Sequence, residues 1–370
     1  MNEQQHSIIP LVEPWLPPAC AEAVRRQVET TFVGPGAAAQ NFGARLAEAC
    51  EVHAAVPVSS GTVALSIAAQ VLGLKPGDEV IVPAYGVISV INAFAVIGLQ
   101  PRLAEIDAAT GCIDPKRLKE AITPNTRAVV YVDFCGSIGQ DLDEVAAICA
   151  KQKVPLIEDA AWALGRGRPG RRGGSFGSIG TISFSVPKIL TTGQGGAVLA
   201  HDEAQRDAAI AAADQGDVNW RRTNLNNAVG SNLRLSDLAA ALGSAELDQL
   251  EERWQRKRRA YSVLADHLGE RLFRAADGDA AMQHIIFVER PDDVVGQLKS
   301  QGILAARPYR PQYHHPPYQA LRDRDFAASE FWFAHSVYLP FGVALTEEGA
   351  ARIGSAVQRL NCRFVSPASG

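Results

Sequence analysis

Short apolar runs alternate with longer runs of helical periodicity from about residue 56 onward. Buried strands are indicated by VPVSS, DEVIVPAY, RAVVYVDF, VPLIEDAA, TISFS and GGAVLA. Helices are indicated by TVALSIAAQVLG, VISVINAFAVIG and LDEVAAICAKQ, which lie between those strands. This alternation predicts an α/β fold with a mostly parallel central sheet that is flanked by helices.

A second helical pattern, much richer in charged residues, follows the alternating region. It is SDLAAALGSAELDQLEERWQRKRRAYSVLADHL, in which apolar positions recur roughly every three or four residues. The pattern predicts a long helical stretch that leads from one domain into the next, with the boundary near residue 250. We therefore expect a large domain over residues 1–250, with an N-terminal arm, and a smaller C-terminal α+β domain over residues 251–370.

Composition limits the classes of partner. The chain has 370 residues, 47% of them hydrophobic, which is enough to bury a full core. Its net charge of −4 gives no attraction for nucleic acid or for an acidic membrane surface, so we expect small-molecule partners. The sequence contains neither a basic leader nor eighteen consecutive apolar residues, and we expect a cytoplasmic protein. The six cysteines form no CxxC pair, and we expect no metal site and no disulfide framework.

Polar residues cluster where three of the predicted strands end. They are Ser59 to Thr62, Asp159, and the segment from Ser183 to Lys188. Ligands of parallel sheets bind at the carboxyl ends of the strands, so we expect these segments to meet in one site.

The first segment, VPVSSGTVALSIAAQ, places Ser60, Gly61 and Thr62 at the start of a helix. Free backbone N–H groups and the positive end of the helix dipole favour a phosphate there. Ser and Thr are also ordinary helix caps, so this segment alone leaves both interpretations open.

The second segment, VPLIEDAA, ends an apolar strand with Glu158 and Asp159. A buried carboxylate in this place requires a cationic partner, and a protonated pyridine nitrogen would serve. The alternative is an acidic helix N-terminus.

The third segment, SFSVPKILTTGQGGAVLA, carries Lys188 in a semi-apolar loop just after a strand. Desolvation leaves an amine neutral enough to attack an aldehyde, which favours Schiff-base chemistry. A surface lysine before a turn is the alternative.

In combination, these segments resemble the fold-type I pyridoxal-phosphate enzymes. More narrowly, the chain resembles the DegT/DnrJ/EryC1/StrS family of sugar aminotransferases. The resemblance extends from about Ile9 to Leu360 and is carried by SSGTVAL, LGLKPGDEVIVPAY, IEDAAWALG, SFSVPKILTTGQGGAV and GSNLRLSDLAAALGSAELDQL.

The resemblance implies pyridoxal 5′-phosphate as the cofactor. It implies that Lys188 forms the Schiff base and moves the proton, and that Asp159 pairs with the pyridine nitrogen. It also implies that Asn232 reaches the phosphate of the neighbouring subunit's cofactor, which requires a homodimer with shared active sites. The phosphate-binding positions are matched by Gly61, Thr62 and Ser183, with Ser60 beside them.

Two positions depart from the family pattern. Val87, in AYGVIS, stands where the family usually has an aromatic ring stacked on the cofactor. Trp162, in EDAAWALG, stands where the family usually has glutamine or histidine near the cofactor's phenolic oxygen. We expect Tyr85 or Trp162 to supply the missing aromatic surface.

The segment RPYRPQYHHPPY resembles the C-terminal segment that in this family closes over the sugar. A solvated Pro-rich loop is the alternative. The basic stretch GRGRPGRRGG is interpreted as an exposed hairpin rather than a nucleotide contact. The candidate substrate contacts are Arg307, Tyr309, Arg310, Tyr313 and His315.

The resemblance implies transfer of an amino group, usually from glutamate, to a keto-sugar carried on a nucleotide, in amino-sugar biosynthesis. One alternative is a pyridoxamine-phosphate-dependent sugar dehydratase, although such family members replace the lysine with histidine. A non-nucleotide, cyclitol-type ketone is a second alternative, and a cofactor-binding regulator without turnover is a third.

Overall fold

The computed structural model describes residues 8–367 and contains the alternating strands and helices that the apolar pattern predicts. Val, Ile, Leu and Ala dominate the longer strands, as expected of strands that are covered on both faces. The strands are β1 (Ala54–Val58), β2 (Glu79–Pro83), β3 (Tyr85–Gly86), β4 (Gln100–Ala104), β5 (Thr126–Val132), β6 (Leu156–Asp159), β7 (Gly167–Arg168), β8 (Arg171–Arg172), β9 (Ile179–Ser183), β10 (Gly196–Ala200), β11 (His284–Phe287), β12 (Arg310–Pro311) and β13 (Ser336–Leu339).

Helices connect most of these strands. Side chains at the start of several helices accept a hydrogen bond from the first turn, as Asp114, Asp202 and Thr346 do. The helices are α1 (Pro18–Glu29), α2 (Ala37–Cys50), α3 (Gly61–Val71), α4 (Ile88–Ala95), α5 (Pro115–Ala121), α6 (Gln140–Gln152), α7 (Glu203–Ala213), α8 (Trp220–Thr223), α9 (Asp237–Leu247), α10 (Leu250–Leu268), α11 (Pro291–Ser300), α12 (Ala327–His335) and α13 (Glu347–Gln358).

The central sheet has seven strands in the order β1-β10-β9-β6-β5-β2-β4. The pairs from β9 to β4 are parallel, and β10 alone runs antiparallel to both of its neighbours. The expectation of a mostly parallel sheet is therefore confirmed. The chain reaches β10 through a loop without a helical crossover, which is why β10 turns back alongside β9. The carboxyl ends of β1, β6 and β9 lie at one edge.

Both faces of the sheet are buried. On β2, Val80 and Val82 join one apolar cluster with α3 and α4, while Ile81 joins a second cluster on the opposite face with α5 and α6. This alternation follows from the pleat, which directs successive side chains to opposite faces. Within residues 8–367, no helix has the length and apolar character that crossing a membrane requires.

The charged stretch predicted as one long helical run forms two helices, α9 and α10, with Asp248 and Gln249 between them. Across this break, Arg253 Nη2 lies 2.9 Å from Glu246 Oε1, and both side chains are buried. The buried ion pair links the end of α9 to the start of α10, a contact that the helical periodicity did not reveal. Helix α9 packs on α1 and α2, whereas α10 packs on α13.

The N-terminal segment pairs with C-terminal residues. Ile9 N donates to Gly302 O (2.8 Å), and Leu304 N donates to Ile9 O (2.9 Å). Farther along, Phe341 N donates to Leu11 O (3.0 Å). The N-terminal arm is therefore held by the part of the chain beyond residue 250.

The basic stretch GRGRPGRRGG forms the hairpin β7–β8, as predicted. Both arginines of β8 are paired with acids, since Arg171 Nη2 lies 2.7 Å from Asp143 Oδ1 and Arg172 Nε lies 3.2 Å from Glu51 Oε1. These two ion pairs tie the hairpin to α6 and to the end of α2.

Candidate active site

The predicted segments meet at the carboxyl edge of the central sheet. Ser60 follows β1, Asp159 ends β6, and Ser183 ends β9. Lys188 lies in the loop after β9, where its backbone N–H donates to Ser185 O (3.0 Å). One concave edge therefore contains all three segments.

The start of α3 lies directly against the end of β9. Ser60 caps the helix, because its Oγ accepts a hydrogen bond from Val63 N (3.2 Å). A Cβ at position 61 would lie only 2.7 Å from the Cβ of Ser183, so glycine permits this contact. Gly196 plays a similar part, since a Cβ there would lie 2.5 Å from the carbonyl carbon of Ser60. The cap engages the N–H of Val63 and leaves those of Gly61 and Thr62 at the helix start for an anion, so the cap and the phosphate cradle are compatible.

Lys188 is buried, with 9% of its surface exposed. Burial lowers the pKa of its amine to about 7, and the negative charge of the neighbouring Asp159 carboxylate opposes this shift. Near neutral pH, a large fraction of this amine is therefore unprotonated and nucleophilic.

Asp159 is buried beside Lys188. Its Oδ1 accepts a hydrogen bond from Ala161 N (3.1 Å). Burial raises the pKa of the Asp159 carboxyl, and the neighbouring Lys188 amine lowers it in part. A further cation in this place would stabilise the ionised carboxylate, as the sequence led us to expect.

Glu158 points to the opposite face of the sheet and holds the loop after the hairpin. Its Oε1 accepts from Gly174 N (2.6 Å), and its Oε2 accepts from Phe176 N (2.6 Å) and Gly177 N (3.1 Å). Both acids of the IEDAA motif are thus buried, but Asp159 lies beside the Lys188 amine whereas Glu158 anchors a loop.

The sequence analysis missed Asp133, which directly follows β5. It is fully buried, and neither of its side-chain oxygens accepts a hydrogen bond from a described residue. Burial and the facing Glu158 carboxylate hold the pKa of Asp133 well above its usual range, so it is protonated. The available signal was RAVVYVDF, an apolar strand that ends in an acid just as VPLIEDAA does.

The two positions that depart from the family pattern have different surroundings. The ring of Trp162 faces Lys188, whose Nζ lies 3.2 Å from the ring centroid. Val87 is half-buried at the start of α4. Tyr85 was predicted as a possible aromatic surface, but its ring is enclosed by Phe134 and Trp332. Because only 1% of Tyr85 is exposed, it offers no open face for stacking, and Trp162 is left as the candidate for the aromatic surface.

The segment RPYRPQYHHPPY is ordered rather than a free loop. Arg310 pairs with Gly86 in the β12–β3 ladder and remains exposed. His315 is half-buried, and burial together with the charge of Arg310 lowers its pKa. These two candidates therefore lie near the turn that carries Val87.

The other substrate candidates are engaged in packing. Tyr313 is buried against Phe326, and its hydroxyl donates to Glu330 Oε1 (3.0 Å), so the structure gives it a packing role and shows no free group for a substrate. Tyr309 is half-buried, and its hydroxyl accepts from Gln283 Nε2 (3.0 Å).

Arg307 forms an ion pair. Its Nη1 donates to both carboxylate oxygens of Asp292 at 3.0 Å, and its guanidinium lies over the ring of Phe333.

Asn232 lies on an exposed stretch of the chain. Its Oδ1 accepts from Arg234 Nη2 (2.8 Å) and Nε (3.1 Å), which orients the amide. The backbone beside it bridges to Asp214. The amide of Asn232 is therefore held by Arg234 and is exposed on the surface of its own subunit.

The residues present fit pyridoxal phosphate. The cradle of α3 suits its phosphate, Asp159 suits a protonated ring nitrogen, and the amine of Lys188 suits its aldehyde.

Solved structures share this fold. The aminotransferase TlmJ from Streptoalloteichus hindustanus is 28% identical, with a TM-score of 0.88 over 95% of this chain and 98% of that one. The 3-amino-5-hydroxybenzoic acid synthase is 28% identical, with a TM-score of 0.84 over 95% of this chain and 100% of that one. The fold and the site define a pyridoxal-phosphate-dependent aminotransferase of fold type I.

The chain belongs to the DegT/DnrJ/EryC1/StrS aminotransferase family, whose model matches residues 18–358. GDP-perosamine synthase from Caulobacter vibrioides is 29% identical over 90% of this chain and 93% of its own length. L-Glutamine:2-deoxy-scyllo-inosose aminotransferase from Micromonospora echinospora is 36% identical over 66% of this chain and 60% of its own length. The family predicted from the sequence motifs is therefore confirmed.

Proposed function

We propose that this aminotransferase moves an amino group from glutamate to a keto-sugar that is carried on a nucleotide. The observation that carries the proposal is the buried Lys188 amine beside the Asp159 carboxyl, next to a helix start that suits a phosphate. The similarity to GDP-perosamine synthase supports a nucleotide-linked sugar as the acceptor.

Lys188 and Asp159 have separate roles in the proposed reaction. When bound, pyridoxal phosphate supplies an aldehyde and an electron-accepting ring. Lys188 Nζ, with its pKa lowered to about 7, accepts and returns a proton at the substrate carbon. Asp159 holds the ring nitrogen in its protonated form. Ser60, Gly61, Thr62 and Ser183 orient the group by binding its phosphate.

The surface around the site supports a homodimer with shared active sites. Val186, two residues before Lys188, is an apolar side chain that is 43% exposed. Two more exposed apolar side chains, Leu225 (60%) and Val229 (98%), lie on the stretch that precedes Asn232. A second copy of the chain would cover this apolar surface and bring its Asn232 to the phosphate.

We also propose that the substrate enters between residues 1–250 and the smaller unit of residues 251–370. Arg310 and His315 are the accessible members of the candidate set, and the ladder between Arg310 and Gly86 places them beside Val87. The positive charge of Arg310 suits an acceptor that carries phosphate groups.

A cyclitol-type ketone is the second candidate acceptor. It is supported by the 36% identity to the aminotransferase from Micromonospora echinospora, whose name specifies 2-deoxy-scyllo-inosose. A cyclitol lacks the phosphates of a nucleotide, so the two candidates differ in their need for Arg310.

Two measurements test the proposal. The purified holoenzyme is incubated with glutamate alone, and the cofactor's visible absorbance is expected to shift to that of its amine form. Nucleotide-linked 3-keto and 4-keto sugars and inosose-type ketones are then supplied, and the aminated product is identified by mass spectrometry. A regulator would leave the absorbance unchanged, and a dehydratase would consume its substrate without glutamate. Either result would refute the proposal.

A further inference from the structure

The ring of Trp162 is fixed on one side of the Lys188 amine. Lys188 Nζ lies 3.2 Å from the ring centroid, well inside the range of a cation–π contact. The ring is 3% exposed, and Phe341 packs against it at 6.2 Å between centroids in an edge-on arrangement. The indole therefore has little freedom to move away from the amine.

Burial removes water from the Lys188 amine, and few neighbouring groups compensate its cationic form for that loss. The buried carboxyl of Asp159 favours the cationic form of Lys188, whereas burial raises the pKa of the neighbouring Cys135 thiol and keeps that thiol uncharged. The π face of Trp162 is a second source of support for the cation, and such contacts strengthen when water is excluded. The glutamine or histidine usual at this position would present a polar group instead.

We propose that Trp162 is a positioning residue: its indole face holds the Lys188 nitrogen and favours the cationic form of that nitrogen. This inference rests on the proposed function only for the role of Lys188 in the reaction. The contact itself belongs to the protein without cofactor and is tested there.

The test measures the titration of Lys188 in the full-length protein freed of cofactor. An amine-reactive reagent is applied across a pH series, and labelling at Lys188 is quantified by mass spectrometry. Trp162→Leu is expected to lower the labelling midpoint by roughly half to one and a half pKa units, because the cation loses the π face. Trp162→Phe retains an aromatic face and is expected to restore most of the shift.

The controls separate this effect from packing. Phe341→Leu removes the edge contact on the indole but leaves the face toward Lys188, so its midpoint should match that of the wild type. The exposed Lys153 serves as an internal reference for reagent reactivity in every sample. Circular dichroism and thermal unfolding verify that each variant is folded at the pH values used.

The direction in which Trp162→Leu moves the labelling midpoint of Lys188 distinguishes a cation–π contact from simple shielding. If Trp162 only shields Lys188 from water, Trp162→Leu will hydrate the amine and raise the midpoint, which overturns the proposal. An unchanged midpoint overturns it as well. Cofactor binding is measured separately by absorbance after reconstitution of the wild type, so a failure of the proposed function is distinguishable from a failure of this contact.

Discussion

Glu158 and Asp159 are neighbours in β6, but their carboxyl groups lie on opposite faces of the central sheet. Asp159 lies beside the Lys188 amine, while Glu158 accepts three backbone N–H groups from the loop that leads into β9. One dipeptide thus joins the site to the scaffold that carries Lys188.

Glu158→Ala is expected to destabilise the protein without touching the cofactor site directly. One buried and two partly buried N–H groups would lose their acceptor, and we expect a loss of about 2–4 kcal/mol in the free energy of unfolding. Urea unfolding followed by circular dichroism measures it. Glu203→Gln, at an exposed helix start, is the matched control and should change stability by less than about 0.5 kcal/mol. Equal stabilities of the two variants would contradict the assignment.

Asp133→Asn is expected to change how stability depends on pH. A carboxyl whose folded pKa is raised binds a proton that the unfolded chain releases, so its contribution is full below about pH 3.9 and is lost as the pH rises toward the folded pKa. Asparagine has no such proton to lose. Relative to the wild type, the variant should therefore gain unfolding free energy between pH 5 and pH 8, at up to about 1.4 kcal/mol per pH unit.

Urea unfolding at those two pH values measures the gain. A difference that stays constant with pH would show that Asp133 is ionised in the folded protein, contrary to its surroundings.

Lys188→Ala is expected to abolish amino transfer while the fold is retained. The amine that attacks the aldehyde and moves the proton would be absent. The measurements are product formation from glutamate and the cofactor's visible absorbance. Full activity in this variant would refute the role of Lys188.

Subunit mixing tests the shared active sites. Lys188→Ala and Asn232→Ala are each expected to be inactive, but a mixed dimer would contain one site with both residues intact. After random exchange, about a quarter of the sites should regain activity, given two-fold symmetry. Activity that stays at the level of the separate variants after demonstrated exchange would place Asn232 and Lys188 in the same subunit's site.

Tyr313 and Arg310 are expected to respond differently to substitution. Tyr313→Phe removes the hydroxyl that donates to Glu330, which should cost about 1 kcal/mol of stability and leave KM unchanged. Arg310→Met removes an exposed cation and should raise KM for a phosphate-bearing acceptor without lowering stability. Steady-state kinetics and urea unfolding of both variants check this contrast. A raised KM in Tyr313→Phe would restore Tyr313 as a substrate contact.

Much of the fold could be predicted because the strands of the sheet interior are apolar on both faces. Strand β4 and helix α5 were missed. Strand β4 forms the edge of the sheet and reads QPRLA, so its exposed residues hide the apolar pattern. The antiparallel direction of β10 was also missed, because an apolar run carries no information about its direction.

The site followed from the sequence where chemistry demands particular residues at strand ends, as at Asp159 and Lys188. It did not follow where burial depends on distant partners. Tyr313 is buried by Phe326 and Glu330 from a later segment, and nothing in its local sequence distinguishes it from an exposed tyrosine. Trp162 was noticed as a departure, but its contact with the Lys188 amine required the structure.

The pairing of Ile9 with Gly302 and Leu304 has a consequence for dissecting the molecule. A fragment cut at residue 250 would lack the segment that completes its hydrogen bonds, and the other fragment would carry that segment without its partner. Each piece therefore lacks hydrogen-bond partners that the other supplies, and we expect reconstitution of the protein to require both pieces during folding.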